Sequence, residues 1–279
     1  MESGKLDIDA FVSVIQEGSE FDLSNYSYKS LHRRLARILT NLDTDMPSLL
    51  RKMKNDPLFI ERMVMECTIS TTELFRDPQV WKLIRKDFLR QFHGDEDINI
   101  WHAGCSTGQE VYSMLMLLDV EHMLNRGNVT ATDLNPNYLN TAIQGCYKYR
   151  YNLQYLDNFD TVMKENPDDP DFLEDIPYDR YMIIDPSDDT IRMRQFLLEK
   201  PVFLQHDLVK GKRVDSGPFD LILCRNVIIY FNFNLQNRVL QLLYSHLKKG
   251  GLLVLGPHES ILGSLSDKFE RCRMGYLKK

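Results

Sequence analysis

The sequence predicts an α/β fold: a parallel sheet with helices on both faces, preceded by a small all-α region. Three observations predict it. From residue 6 to 90 apolar residues recur at helical spacing, and no convincing strand precedes residue 97. After residue 97 strand-like and helix-like stretches alternate, the grammar of a parallel sheet covered by helices. The first of those strands runs into a turn rich in glycine and small hydroxyls, WHAGCSTGQEVYS (101–113), at the place where such sheets bind ligands.

The elements follow in order. IDAFVSVIQEGSEF carries Phe11, Val14 and Ile15 on one helical face, and YKSLHRRLARILTNL aligns Leu31, Leu35, Ile38 and Leu42. Lys29, Arg33, Arg34 and Arg37 are expected on the other faces of that second helix. Pro47 and Pro57 mark the starts of two more helices. INIWHA then reads as a strand, and GQEVYSMLMLLDVEHML as a helix with Val111, Leu115 and Leu118 on one side. VTATD (129–133) is a strand, followed by a helix around NYLNTAIQG. Strands in PVFLQHD and FDLILCR, a helix in LQNRVLQLLYSHLKKGG that ends on glycines, and a strand LLVLG complete the alternation. Residues 151–200 interrupt it. DNFDTVMKENPDDPDFLEDIPYD is rich in acid and proline and reads as a solvated insertion. RYMIIDPSDDTIRMRQFL has a Pro-Ser-Asp-Asp turn between apolar runs, as in a hairpin.

With 279 residues, 43% hydrophobic and 27% charged, the chain can bury a sizeable core. Its net charge of −6 argues against non-specific binding to nucleic acid, which needs a strong positive field. MESGKLDIDA is acidic and polar, unlike a signal peptide, and no apolar run approaches the ~18 residues of a membrane span. The five cysteines are scattered, with no C-x-x-C pair, which predicts reduced thiols in a cytoplasmic protein and neither a disulfide framework nor a metal site.

Three ligands compete for the glycine turn. A P-loop needs a lysine after the last glycine, and none follows Gly108. A dinucleotide fingerprint needs G-x-G-x-x-G, whereas the spacing here is G-x-x-x-G. S-adenosylmethionine (SAM) carries no phosphate and a positive sulfonium. Gly104 and Gly108 let the backbone come close to such a ligand, and Glu110 suits a cation better than a pyrophosphate. Asp133, ending the second strand, is placed to accept two hydrogen bonds from a ribose diol. Its competing role is to cap the next helix. The third piece is FDLILCRNVIIYF (219–231), where Arg225 and Asn226 turn outward from a buried strand before an apolar-aromatic run. Together the three describe a methyltransferase pocket better than a dehydrogenase.

STTELFRDP, WHAGCSTGQEVYS, ATDLN, FDLILCRNVIIYF and LKKGGLLVLGPHES occur in this order. With them the chain, from about residue 10 onward, closely resembles the chemotaxis receptor methyltransferases (CheR-type). The resemblance implies a SAM-dependent methyltransferase domain with a Rossmann-like sheet and a small β-subdomain insertion. It places the N-terminal helical domain at 1–80, a linker helix at 81–95 and the catalytic domain at 96–279, with the insertion at about 178–204. It implies a cytoplasmic monomer that transfers methyl groups from SAM to glutamate side chains of chemoreceptors, with S-adenosylhomocysteine (SAH) as product. By motif, the cofactor contacts fall on Ser70, Thr72, Arg76, Gly104, Glu110, Asp133, Asp207, Leu208, Arg225 and Asn226. Ser70 and Asp207 stand where the family has asparagine. Tyr230 matches a tyrosine beside the transferred methyl.

Arg76 and Tyr230 are therefore the expected catalytic pair, orienting the incoming carboxylate or shaping the methyl channel. The competing roles are a salt bridge between domains for Arg76 and simple packing for Tyr230. Arg33, Arg34 and Arg37 are expected to form a positive docking face for an acidic receptor bundle, against the plainer role of a solvated helix face. Three other functions compete: a SAM-binding scaffold without transfer activity, a methyltransferase for another substrate, and an NAD-dependent oxidoreductase.

Overall fold

The computed structural model describes residues 7–68, 72–92, 96–165 and 173–279. It divides into two compact units, Met1–Ile69 with Val227–Leu240, and Ser70–Asn226 with Gln241–Lys279.

The first unit is helical: α1 (Ile8–Gly18), α2 (Tyr28–Asn41), α3 (Met46–Asn55) and α4 (Pro57–Glu66). Asp7, Asp45 and Asp56 each accept a backbone N–H three residues on, satisfying one orphan donor at the start of α1, α3 and α4. Each such cap contributes about 1 kcal/mol. Phe11, Ile15, Leu31, Leu35, Ile38, Met53 and Met63 form the core of this unit. The segment 227–240 joins it through backbone bonds, Ser27 N to Tyr230 O at 2.8 Å and Asn232 N to Asn25 O at 2.8 Å.

The second unit begins with α5 (Pro78–Leu83), continued by wider and tighter turns to Gln91. Then come β1 (Ile98–Ala103), α6 (Gln109–Val120), β2 (Gly127–Asp133), α7 (Pro136–Gln144), β3 (Cys146–Lys148) and α8 (Gln154–Phe159). After these follow β4 (Met182–Asp185), β5 (Thr190–Met193), α9 (Gln195–Leu198), β6 (Val202–Gln205) and β7 (Phe219–Cys224). The chain closes with α10 (Phe233–His246), β8 (Leu247–Leu255), β9 (Phe269–Arg271) and β10 (Tyr276–Lys278).

The main sheet runs β6-β2-β1-β7-β8-β10-β9. Its first five strands are parallel, as the alternation predicts, while β10 pairs antiparallel with β8 and β9. Those last two strands have three residues each, too short to show a period in the sequence. α6 is buried nearly all round and shares its core with Ile98 and Ile100. On the other face Trp101 meets Phe219 and His246, with ring centroids 5.4 Å apart in each case. β1 sits where the strand order reverses, with β2 on one side and β7 on the other, so the crevice beyond their carboxyl ends is the expected ligand position.

A second sheet, β3-β5-β4, is antiparallel. β4 and β5 form the expected hairpin, and Asp185 Oδ1 accepts from Ser187 N at 2.9 Å and Asp188 N at 3.1 Å to shape its turn. Its third strand, β3, comes from outside the 178–204 segment.

Two expectations change. The solvated insertion does not hold for residues 157–165: Phe159, Val162 and Met163 are all in the core, as is Tyr155 just before them. From Tyr155 on, the i, i+4, i+7, i+8 spacing is helical, hidden by the acids between them. The stretch 72–92 does not divide from the sheet as a domain end and a linker, because Leu74, Phe75, Trp81, Ile84, Phe88 and Leu89 all belong to the second unit's core.

Candidate functional site

At the end of β1, Gly104 N and Cys105 N both donate to Thr132 O, at 2.8 and 2.9 Å, tying the turn to β2. The turn then passes through positive φ at Gly104 (83°), Ser106 (51°) and Gly108 (91°). A Cβ on Gly108 would lie 2.7 Å from the Ala142 Cβ, so this position requires glycine for both space and conformation. Thr107 Oγ1 donates to Gln109 Oε1 at 2.7 Å, Gln109 Nε2 to Tyr155 OH at 2.8 Å, and Tyr147 OH to Thr107 O at 2.8 Å. β3 and α8 thereby brace the turn.

Glu110 lies in the first turn of α6. Its Oε1 is 3.0 Å from His102 Nδ1, and its Oε2 accepts from Arg225 Nη1 at 3.1 Å. Burial raises the carboxyl, but the His102 hydrogen bond and the Arg225 charge outweigh it and hold Glu110 below the usual range. It is therefore ionised at neutral pH.

Asp133 Oδ2 accepts from Ser106 N at 2.8 Å and Oδ1 from Asn135 N at 2.9 Å. The cap of α7 is Asn135, whose side chain accepts from Asn137 N, so capping does not occupy Asp133. Burial raises the Asp133 carboxyl, against the opposing pull of its backbone N–H donors. A carboxylate has about four lone-pair sites on its two oxygens, so acceptor capacity remains beyond the backbone donors Ser106, Asn135 and Leu134.

Arg225, at the end of β7, has a side chain 1% exposed. Beyond Glu110, its Nη2 donates to Asp77 Oδ2 at 2.6 Å and to Arg76 O at 2.8 Å. Trp81 Nε1 also donates to Arg76 O, at 2.9 Å, and its ring lies 5.7 Å from the Arg225 guanidinium carbon. The Arg76 main chain is thus held from two sides. Phe75 and Asp77, flanking it, adopt positive φ of 50° and 57°, and Asn226 one of 59°. Such strained residues persist only where surrounding contacts fix them, and they cluster at functional sites. Here Phe75 N donates to Ser113 Oγ at 2.8 Å, and Asn226 N to Glu259 Oε2 at 2.8 Å.

Of the other expected cofactor residues, Thr72 is half-buried, with its carbonyl 3.4 Å from Tyr155 OH. Asp207 and Leu208 follow β6. Asp207 Oδ1 closes a local turn on Val209 N at 2.8 Å, and Leu208 is buried. Ser70 lies outside the described residues.

Tyr230, Arg33, Arg34 and Arg37 belong to the helical unit. Arg33 and Arg37 are exposed on α2, but Arg34 is 4% exposed and its guanidinium carbon lies 4.5 Å from the Tyr230 ring centroid. Arg34 therefore does not belong to a solvent-facing docking surface. Its position three residues after Leu31 and four before Ile38 puts it on the buried stripe.

The donor set suits a nucleoside without phosphate. Two carboxylates flank the turn, and the neighbouring guanidinium, Arg225, is already engaged by protein oxygens. These are the groups a sulfonium and a ribose diol would need, and they fit SAM. Comparison with known proteins decides the family. Residues 70–160 and 171–277 match the family model described as CheR methyltransferase, SAM binding domain.

The chain belongs to the CheR methyltransferase family.

It is 33% identical over 269 residues to the Pseudomonas putida protein named Cher3, covering 95% of this chain and 93% of that one. It is 28% identical to a protein of Listeria monocytogenes named chemotaxis protein methyltransferase, over 90% of this chain and 89% of that one. A Vibrio anguillarum protein of the same name is 33% identical over 76% of this chain and 73% of its own. The chain is thus a SAM-dependent methyltransferase with the fold that its alternating pattern predicts. Among the described residues no helix is long and apolar enough to cross a membrane.

Within this methyltransferase, sequence reasoning missed His102, Asp77, Gln109, Tyr155 and Glu259. His102, Gln109 and Asp77 carried a signal, since each lies inside a motif already singled out, WHAGCSTGQEVYS or STTELFRDP. Glu259 lies in GPHES, to which no contact was assigned, and it also accepts from Gly256 N at 2.7 Å. Gln109 and Tyr155 are 46 residues apart, and only the fold brings them together.

Proposed function

We propose that this chain methylates side-chain carboxylates of glutamates on the cytoplasmic part of chemoreceptors, producing methyl esters and SAH. The observation that carries this reading is the match to proteins named chemotaxis protein methyltransferase along 90% of the chain, helical unit included. The exposed Arg33 and Arg37 on α2 support it, because a positive stripe on a chain of net charge −6 would steer an acidic helical bundle.

Bound SAM supplies a methyl group activated by its sulfonium. Glu110 and Asp133 would hold that cofactor, Asp133 through its spare acceptor positions. A glutamate nucleophile is already anionic at neutral pH, with a free pKa of about 4.3, so no general base is required. The chain's task is alignment, which can contribute roughly 7–11 kcal/mol in favourable systems. The Arg76 guanidinium matches both oxygens of a carboxylate, and its main chain is pinned by Trp81 and Arg225. Tyr230 is the second residue assigned to the methyl channel.

The test is transfer of tritiated methyl from SAM to cognate receptor fragments, with base-labile label identifying an ester. Arg76→Ala should cut transfer strongly while leaving the fold intact. SAM binding without transfer to any receptor fragment would favour a regulatory protein, and base-stable label would exclude a carboxylate acceptor.

A further inference from the structure

The motif GPHES (256–260) follows directly on β8, beside the end of β7 that carries Arg225 and Asn226. The last paired rung of these two strands is Cys224 with Leu255. Beyond it the strands part, and the ladder no longer supplies acceptors for the N–H groups of Asn226 and Gly256. One atom takes its place: Glu259 Oε2 accepts from Asn226 N at 2.8 Å and from Gly256 N at 2.7 Å. Glu259 is 9% exposed and Gly256 is buried, so these donors depend on it rather than on water. A tight turn delivers the carboxylate, closed by Glu259 N donating to Gly256 O at 3.0 Å.

Asn226 needs such support. Its φ of 59° is a left-handed conformation that asparagine adopts more readily than most residues, but only where contacts hold it. Gly256 shows how closely the two segments fit. A Cβ there would lie 2.8 Å from Asn226 Nδ2, 2.8 Å from Glu259 Oε2 and 2.9 Å from Asn226 N. Gly256 itself is not at positive φ, so this position requires glycine for space and not for conformation. Both the main chain and the side-chain amide of Asn226 therefore rest against residue 256. We propose that Glu259 is a positioning residue for the cofactor site: with one oxygen it ties the ends of β7 and β8 together and holds Asn226 in the strained turn that presents it to SAM. Gly256 makes the room and Glu259 supplies the acceptor, which gives their spacing in GPHES a task. The inference rests on the reading of Asn226 as a cofactor contact.

Titration calorimetry with SAM and with SAH, on the full chain, tests this with three variants. Glu259→Ala removes the acceptor and should weaken SAM binding by roughly ten- to a hundredfold, the scale on which a supporting residue controls the group it orients. Glu259→Gln keeps one acceptor oxygen for both N–H groups, so it should recover most of that loss. Gly256→Ala keeps the carboxylate but crowds Asn226, and should weaken SAM binding without touching the cofactor. It also carries the test should E259A fail to fold. Because E259A and G256A disturb the same turn, their combined loss should be smaller than the sum of the two. A lower melting temperature for E259A with SAM affinity within about twofold of wild type would mark a purely structural role and overturn the proposal. So would E259Q binding no better than E259A, since the carboxylate charge and not the placed acceptor would then matter, or G256A binding like wild type. If the wild-type chain bound neither nucleoside, the cofactor reading beneath the proposal would fall first.

Discussion

Replacing Glu110 by glutamine tests the centre of the site. The carboxylate takes one contact on each oxygen, from His102 Nδ1 at 3.0 Å and from Arg225 Nη1 at 3.1 Å, and its side chain is 17% exposed. Glutamine offers one acceptor and two donors, so its amide must turn N–H groups toward either His102 or Arg225. The charge-assisted bond to Arg225 is weakened to one from a neutral amide oxygen, and the N–H groups then face His102 Nδ1, which must change tautomer to accept. Removing one partner of a buried pair costs about 3–5 kcal/mol when the other is left alone. Arg225 keeps Asp77 and Arg76 O, so about 2–3 kcal/mol is expected at pH 7. Both tryptophans, Trp81 and Trp101, are fully buried in the second unit, so urea unfolding followed by tryptophan fluorescence reports this unit. The difference must also depend on pH. Glu110 is lowered from its ordinary value of 4.5, so its ionised form contributes stability that is present above that value and lost as pH falls through the lower native one. The gap between wild type and E110Q should therefore shrink as the solution is taken below pH 4.5. A gap that is absent at pH 7, or unchanged in acid, would refute the assignment of Glu110 as a buried ionised partner of Arg225.

Gly108→Ala should destabilise the second unit by about 2–4 kcal/mol, from positive φ and from the close approach to Ala142, and should abolish SAM binding. Adding Ala142→Gly should recover only the steric part, which a double-mutant cycle on unfolding free energies would show. Arg34→Met should leave the helical unit as stable as before or more stable, by up to about 2 kcal/mol, because among the described residues the buried Arg34 Nε and Nη2 have no hydrogen-bond partner. A melting temperature several degrees lower would contradict this. Charge reversal at both Arg33 and Arg37 should reduce receptor methylation at low salt far more than at high salt, leaving SAM affinity unchanged. Equal rates at both ionic strengths would remove these residues from docking.

The sequence by itself determined what local periodicity can carry. Helical spacing set out α1 to α4, and alternating stretches set out the parallel strands and the glycine turn beyond β1. The motifs placed Gly104, Asp133 and Arg225 at strand ends and Glu110 at the start of the helix after the glycine turn, where the fold does bring them together. Tertiary structure alone decided which groups each of them touches. Arg225 and Asp77 are 148 residues apart, and Gln109 and Tyr155 are 46 apart, so no local period links either pair. Arg34 shows the limit from the other side. Its spacing put it on the buried stripe, but a charged side chain reads as solvent-facing until a ring such as Tyr230, 196 residues later, is folded against it. Periodicity records which face of an element is covered. What covers it depends on chain topology, and the charge balance of the pocket is fixed only when those distant carboxylates and the guanidinium meet.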